Sequence, residues 1–527
     1  MRTHALMDQD VIHRRRWWTL SVLCLSLVMI IVGNTVLNVA LPTLVRELQA
    51  TSTDLQWMVD AYALVFAGLL LTCGALGDRF GRKGALVVGL VIFGVASALS
   101  TLANSPAHLI FARAVMGAGA ALVMPATLSI LTNVFPPRER GRAIAIWAGL
   151  SGAGAAIGPV AGGWLLEHFW WGSVFLLNVP IVIVALLSGR WLVPTSRDPS
   201  EAPLDPVGAT LSIIGLGVLL YGIIEAPTHG WSSGTTIGAF IAASAVLFAF
   251  ALGELRTKHP MLDLRYFQDR RFSTASGAIT LIFFAMFGTF FLLTQYLQTV
   301  QGHSPFEAGL LTLPMALTLM LIAPQSARVV ERFGVKRVVA IGLAVVALGL
   351  IILSTIGVDS GYGVLALSLV ILATGMSLSM PPATTAIMAS LPLGKAGVGS
   401  AVNDTTRELG GALGVAVLGS ILASQFTASL SGAVQSLPAP LAGAATGSLG
   451  GALQVAGRVG GAPGAELAAA AKVAFVDAMG VALLVGASIA LLASIIVARL
   501  MPVDALGMEP VTLGDGEADR LSEAASA

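Results

Sequence analysis

The stretch Gly74-Ala75-Leu76-Gly77-Asp78-Arg79-Phe80-Gly81-Arg82-Lys83 lies between two apolar runs, each long enough to cross a membrane. A looser copy follows in the second half of the chain: Val330-Glu331-Arg332-Phe333-Gly334-Val335-Lys336. Asp78 aligns with Glu331, Arg79 with Arg332, Phe80 with Phe333, Gly81 with Gly334 and Lys83 with Lys336. An acid-Arg-Phe-Gly-x-Lys string suits a hairpin of two helices at a membrane surface. Glycine permits the tight turn, the bases hold the loop on the cytoplasmic side, and the acid can cap or pair across helix ends. A basic loop that only sets topology would not recur in register, so the two copies point to an internally duplicated chain.

Outward from that hairpin, the composition gives the class. Of 527 residues 56% are hydrophobic and 11% charged, against about 25% charged in a soluble domain. An integral, multi-pass membrane protein is expected. The net charge of +1 gives no reason to expect a nucleic-acid partner. The only cysteines, Cys24 and Cys73, lie in apolar runs, which argues against a disulfide framework or a cysteine metal site, and no metal site is expected. The run from Trp17 to about Leu41 is too long for a signal-peptide core and reads as a retained first span.

With about 20 apolar residues per crossing, the chain divides into fourteen spans, near 17–41, 55–77, 84–103, 108–134, 142–166, 172–193, 207–225, 234–253, 272–297, 306–327, 337–356, 361–388, 399–424 and 473–500. Charge supports an even count with both termini in the cytoplasm. Of 29 Lys and Arg, only Arg46, Arg458 and Lys472 fall on the opposite side, and Arg113 and Arg407 fall within spans. This is the positive-inside distribution of a protein of the cytoplasmic membrane.

The expected fold is all-α and polytopic: two six-helix halves, 17–193 and 272–500, with a linker carrying two extra spans at 194–271. A cytoplasmic tail, 1–16, precedes them and an acidic tail, 501–527, follows, the latter expected to be disordered. The polar stretch Pro194 to Pro206 opens the linker, and the charged stretch Glu254 to Arg271 reads as a surface helix. Within about 425–472, the Gly, Ala, Pro and Ser-rich segment from Ser429 to Leu467 reads as an external loop, mobile or weakly helical, and its low polarity also admits a re-entrant segment.

Ionisable groups inside a bilayer cost at least about 2.5 to 3.5 kcal/mol, so each is a functional candidate. The candidates singled out are Asp60 in span 2, Arg113 in span 4, and Asp404, Arg407 and Glu408 in span 13. Asp404 and Glu408 fall on one helical face, one turn apart, with Arg407 beside Asp404. At 1.5 Å per residue Glu408 lies about midway through the bilayer and Asp404 about 6 Å shallower. An acid free to take up and release a proton, beside one held by an arginine, is sufficient for proton coupling; the bland alternative is a fixed ion cluster joining helices. Asp60 can equally be an interfacial acid touching water. Asn34, Asn38 and Thr35 offer uncharged hydrogen bonds on an expected cavity face. Asn178, Gln295, Tyr296 and Gln298 are further wall candidates, with interfacial anchoring the simpler reading of Tyr296. Span 5 carries Gly154, Gly158, Pro159, Gly162 and Gly163, a small-residue face for close helix approach with a proline bend.

These motifs together resemble the major facilitator superfamily, and within it the fourteen-span drug:proton antiporters. Gly77-Asp78-Arg79-Phe80-Gly81-Arg82-Lys83 resembles the loop motif between spans 2 and 3. Arg113 with Gly117 resembles the span-4 motif linked to proton transfer, and Gly154 to Gly163 resembles the span-5 motif of exporters. Asn38-Val39-Ala40-Leu41-Pro42 resembles the end of the first-span motif. Two positions depart: Gly33 stands where the subfamily usually has an aspartate, and Trp171-Gly172 where Trp-Arg is common. The missing acid moves weight to Asp60, Asp404 and Glu408, and suits a neutral or weakly acidic substrate.

The resemblance implies alternating-access export of lipophilic drugs, antibiotics or toxic natural products, with the proton gradient as energy source and no cofactor. A monomer is expected. The rivals are a proton-coupled symporter or exporter of one metabolite, which the span-5 glycines disfavour, and a membrane-embedded enzyme, for which the seven histidines supply no cluster at depth. A nucleotide-driven pump is disfavoured because no Gly-x-x-x-x-Gly-Lys-[Ser/Thr] loop occurs.

Overall fold

The computed structural model describes residues 9–196, 205–257, 260, 263–390 and 396–502. Among these the secondary structure is helical, in nineteen α-helices and short 3-10 or π segments. The first half contains α1 (Gln9–Leu48), α2 (Ser52–Phe80), α3 (Arg82–Ser100), α4 (Pro106–Val134), α5 (Pro137–His168), α6 (Ser173–Leu176) and α7 (Asn178–Leu192). The inserted pair is α8 (Pro206–His229) and α9 (Gly234–Arg256). The second half contains α10 (Arg270–Gln295), α11 (Pro305–Leu311), α12 (Leu313–Ile322), α13 (Ser326–Phe333), α14 (Val335–Leu353), α15 (Tyr362–Ala389), α16 (Ala396–Leu430), α17 (Ala439–Gly447), α18 (Leu449–Val459) and α19 (Gly461–Leu500).

Twelve helical stretches among the described residues are long and apolar enough to cross a membrane. They include α6 with α7 as one span, and α11 to α13 as another. The breaks have local causes: Pro314 follows the junction at Thr312, and Pro324 falls in the 3-10 turn Ala323–Gln325, where proline cannot donate to the preceding turn. Two other helices, α2 with 29 residues and α5 with 32, have spanning length and occupy the positions expected for spans 2 and 5, but are not among the twelve.

Both copies of the hairpin string form the same turn. Helix α2 ends at Phe80 and α3 starts at Arg82, with only Gly81 between them at φ +121°. Helix α13 ends at Phe333 and α14 starts at Val335, with only Gly334 between at φ +78°. A side chain is strained at such φ, so glycine is required for a reversal in one residue. The first turn is docked to its own half. Lys83 Nζ donates to the Arg190 carbonyl at 2.8 Å, placing a cation at the C-terminal end of α7, and the Arg82 N–H donates to the Ser196 carbonyl at 3.0 Å. The Asp78 side chain lies outside the described residues.

The two halves are joined at the end of the molecule opposite these turns. Helix α5 meets α11 so closely that a Cβ on Gly163 would overlap the Pro305 carbonyl and lie 2.6 Å from Phe306 Cα, and one on Gly309 would lie 2.6 Å from the Pro159 carbonyl. The same glycine face packs α5 on α1: Gly158 abuts Thr35 Oγ1 and Gly162 abuts Val36. Helix α2 meets α16 where Gln56 packs on Gly419 and accepts from Ser420 Oγ at 3.2 Å. Gln298, in the π-helical turn Tyr296–Val300, donates to the Val39 carbonyl of α1 at 2.7 Å. The inserted helix α8 packs against both α2 and α16, and Ser420 Oγ also donates to the Ile223 carbonyl at 2.8 Å.

The segment expected as a mobile or weakly helical external loop is helical and packed. Helices α17 and α18 bury Ala445, Leu449, Ala452, Val455 and Ala456. Ser52 donates to the Gly447 carbonyl at 2.9 Å, and Gly450 sits against Val45. Its apolar alanines and leucines gain burial against α1 and α19, and the last helix begins at Gly461 instead of 473. In the charged stretch Glu254 to Arg271, read as a surface helix, the described residues hold the end of α9, a five-residue 3-10 helix, Leu264–Gln268, and the start of α10. Helix α1 begins at Gln9, inside the expected tail. The acidic tail and most of Pro194 to Pro206 lie outside the described residues.

Candidate functional site

The site is built around Arg113. It is fully buried and, being permanently charged, needs partners inside the bundle. Its Nε donates to the Met58 carbonyl at 3.1 Å, Nη1 to the Gly33 carbonyl at 3.3 Å and Nη2 to Asn34 Oδ1 at 3.0 Å. All three acceptors are uncharged. The guanidinium lies 4.4 Å from the centroid of the Tyr62 ring, a cation–π arrangement. Gly117, one turn along α4, makes this possible: its absent Cβ would lie 2.5 Å from the Tyr62 carbonyl, so α4 and α2 approach at backbone contact. Tyr62 is buried, and its hydroxyl has no hydrogen-bond partner among the described residues.

The second half contributes α16. Arg407 Nη1 lies 3.8 Å from Asp404 Oδ1, an ion pair at the long limit, and its guanidinium stacks 5.4 Å from the Phe283 centroid. Asn403, 3.1 Å from Thr384 Oγ1, accepts from Arg407 Nε and Nη2 at 3.3 Å in the amide orientation that satisfies both ends. Glu408 is one turn beyond Asp404. Asp404 and Arg407 are the charged groups beside it on its own helix.

Asp60 belongs elsewhere. It is fully buried, and neither carboxylate oxygen has a hydrogen-bond partner among the described residues. Two residues from Tyr62, it faces the opposite side of α2. That side carries Gln56 one turn before, and Ala63, which packs with Leu220 and Ile224 of α8 and Ala412 and Ala416 of α16. Asp60 therefore lies toward the seam where α2, α16 and the inserted helix meet, apart from the Arg113 group. It is a buried acid, not an interfacial one.

The other wall candidates separate similarly. Asn38 is buried, and its Oδ1 has no partner among the described residues. Asn178 packs inside the first half, donating to Ser97 Oγ at 2.9 Å. Gln295 donates to its own helix at Phe291. Tyr296, read as an interfacial anchor, is instead buried, with its hydroxyl donating to the Gly357 carbonyl at 2.9 Å. Gln298 joins the halves. At Gly33 an added Cβ would lie 3.0 Å from Phe93 and 3.3 Å from Asn178; the space an acid would need there is filled. Tyr62, Gln56 and Phe283 were not legible as site residues, since an aromatic or amide within an apolar run carries no signal until its neighbours are known.

Comparison with known proteins accords with this architecture. The family model of the Major Facilitator Superfamily matches residues 23–415. The multidrug efflux pump LfrA of Mycolicibacterium smegmatis is 36% identical over 92% of this chain and 96% of that protein. The tetracenomycin C resistance and export protein of Streptomyces glaucescens is 35% identical over 78% of this chain and 77% of its own. The methyl viologen resistance protein SmvA of Salmonella typhimurium is 34% identical over 91% and 97%. Among solved structures, a bacterial homologue of the human lysosomal transporter Spinster, inward-facing and unoccupied, superposes with a TM-score of 0.64 at 19% identity, over 92% of this chain and 97% of that one. Duplicated hairpin, helical halves and sequence relatives agree, and the chain belongs to the Major Facilitator Superfamily.

Proposed function

We propose that this chain exports lipophilic drugs, antibiotics or toxic natural products across the cytoplasmic membrane by alternating access, in exchange for protons. The observation that carries the reading is the set of charges on spanning helices of both halves, Arg113 buried on α4 and the Asp404–Arg407 pair on α16 with Glu408 one turn beyond. The relatives named above as efflux, export and resistance proteins supply the cargo class. Both termini and the turns at Gly81 and Gly334 are cytoplasmic, and fourteen spans cross the bilayer, α2 and α5 included. The end joined by α5 with α11 and α2 with α16 is then external, and the chain faces inward.

In this cycle ionised Glu408 balances Arg113 while substrate enters from the cytoplasm. The halves rock, a proton reaches Glu408 from outside, and the neutralised acid permits return without substrate. No cofactor takes part, and a monomer contains the whole site. The test is accumulation of fluorescent dyes and antibiotics in an exporter-deficient host. Expression lowers accumulation and a protonophore restores it; unchanged accumulation across a broad compound panel, or efflux indifferent to the protonophore, would sink the reading.

A further inference from the structure

A groove outside the Arg113 site combines aromatic walls with positive charge. It lies between the start of α1 and the end of α7, has a volume of about 810 Å³, and is lined by Arg15, Trp18, Leu187, Ser188, Trp191 and Leu192. That is within the range of about 300 to 1,000 Å³ that holds a drug-sized molecule. Two spanning stretches end together there, one beginning at Arg15 and the other finishing at Leu192, so the groove sits at the edge of the bilayer. Its floor is fixed: Thr19 is buried and its Oγ1 donates to the Leu192 carbonyl at 2.8 Å, while Val22 lies against Gly189. The walls are open. Trp18 is 67% exposed, Leu187 66% and Trp191 70%. Leu187 continues one turn deeper on α7 into the exposed apolar side chains of Ile183 and Val184.

The bases at this end are not all engaged. Arg16 is held by Glu139 through contacts of 2.7 and 3.0 Å, but the side chains of Arg15 and Arg190 have no hydrogen bond or ion pair among the described residues. Lys83 adds a third cation at the end of α7, with its Nζ on the Arg190 carbonyl. A soluble anion would meet these bases and leave the apolar face unused, and a neutral lipid would cover the face and leave the bases without a counter-charge. A lipid with an anionic headgroup satisfies both, with the two indoles at the level where amphipathic rings settle in a bilayer.

We propose that this groove binds one anionic phospholipid of the phosphatidylglycerol type, its phosphate at Arg15 in the field of Arg190 and Lys83, and its chains along Trp18, Trp191, Leu187 and Val184. In the orientation proposed above the lipid belongs to the cytoplasmic leaflet. The binding itself does not depend on the transport cycle, so it stands or falls separately from the exporter reading.

The test titrates the purified full-length protein in detergent micelles with phosphatidylglycerol, phosphatidylcholine or inorganic phosphate. The rise in melting temperature gives the apparent affinity, since a ligand that binds the folded protein stabilises it by mass action, and native mass spectrometry counts retained lipid. A basic residue near a membrane surface accounts for about fivefold in affinity for anionic lipid. Wild-type protein is expected to prefer phosphatidylglycerol at least tenfold and to retain one molecule. Arg15→Gln loses about fivefold of that preference, Arg15→Gln with Arg190→Gln loses nearly all of it, and Arg15→Lys keeps at least half. Trp191→Ala weakens both lipids alike. The substituted side chains are exposed, so melting without lipid is the control for folding, and Arg15→Gln alone decides the matter if the double variant is unstable. Three results overturn the inference: no preference in the wild-type protein, which leaves these residues as interfacial anchors only; a preference unchanged in Arg15→Gln, which puts the charge elsewhere; or stabilisation by inorganic phosphate equal to that by phosphatidylglycerol, which leaves the acyl chains no part.

Discussion

At the residue scale, the site contains two arginines in opposite circumstances. Arg407 has an acid, an amide and an aromatic face on or near its own helix; among the described residues Arg113 has only neutral acceptors within hydrogen-bond distance. An arginine deep in a membrane without an adjacent acid favours any carboxylate that approaches, and in the proposed cycle that carboxylate is Glu408. Glu408→Gln mimics the protonated acid. It is expected to lower uphill transport at least a hundredfold while exchange continues, whereas Asp404→Asn, which leaves Arg407 without its ion-pair partner, weakens both. Transport measured with and without an imposed pH gradient decides this; a Glu408→Gln protein that concentrates substrate is not using Glu408. Asp60, Arg113, Asp404, Arg407 and Glu408 stood out in the sequence because charge in an apolar run is rare. The acceptors that hold Arg113 and the separate position of Asp60 did not, because they depend on which faces of α1, α2, α4 and α16 meet.

At the scale of elements, glycines set how closely the helices of the two halves approach. Gly163 and Gly309 bring α5 and α11 to backbone contact at the joined end, so overpacking there separates the halves instead of displacing a flexible side chain. Inserted methylenes cost about 1 to 3 kcal/mol in such a place. Gly163→Leu is accordingly expected to populate the opposite, outward-open arrangement about tenfold more. Labelling of a cysteine placed at Asn38, in a background lacking Cys24 and Cys73, by an impermeant external reagent reads this out; labelling no faster than in the parent protein argues against it. The turns at Gly81 and Gly334 act at the other end. Asp78→Asn is expected to slow transport about tenfold with substrate affinity within twofold, because this turn lies at a helix end far from the Arg113 site, while Glu331→Gln is milder, the second turn having no counterpart of Gly77 or Arg82. Equal losses of affinity and turnover in Asp78→Asn would contradict a role in rocking.

For the whole molecule, direction of transport follows from orientation. Tags at either terminus are expected to be cytoplasmic, and a tag in the turn between α16 and α17, at 431–437, external. That turn is exposed at several positions, so a tag there does not disturb the buried faces of α17 and α18. Protease applied to sealed spheroplasts should cut the external tag and spare both termini; cleavage of the C-terminal tag from outside would invert the inward-facing assignment and remove the fourteen-span topology.

The sequence by itself determined that the chain is helical and membrane-spanning, that its hairpin string recurs, where its turns fall, and which charges lie within apolar runs. Those properties are written in local apolar length, in the one-residue turns that glycine alone permits, and in the expense of charge within lipid. Tertiary structure decided what local patterning does not encode. It put Tyr62 under Arg113 through the close approach of Gly117, set Asp60 toward the α8 seam, filled the space beside Gly33 with Phe93 and Asn178, and folded the small-residue segment after α16 into packed helices. Each is a choice of helix face and partner, and side chains equally apolar in sequence are told apart only by the packing that buries them against one neighbour or another.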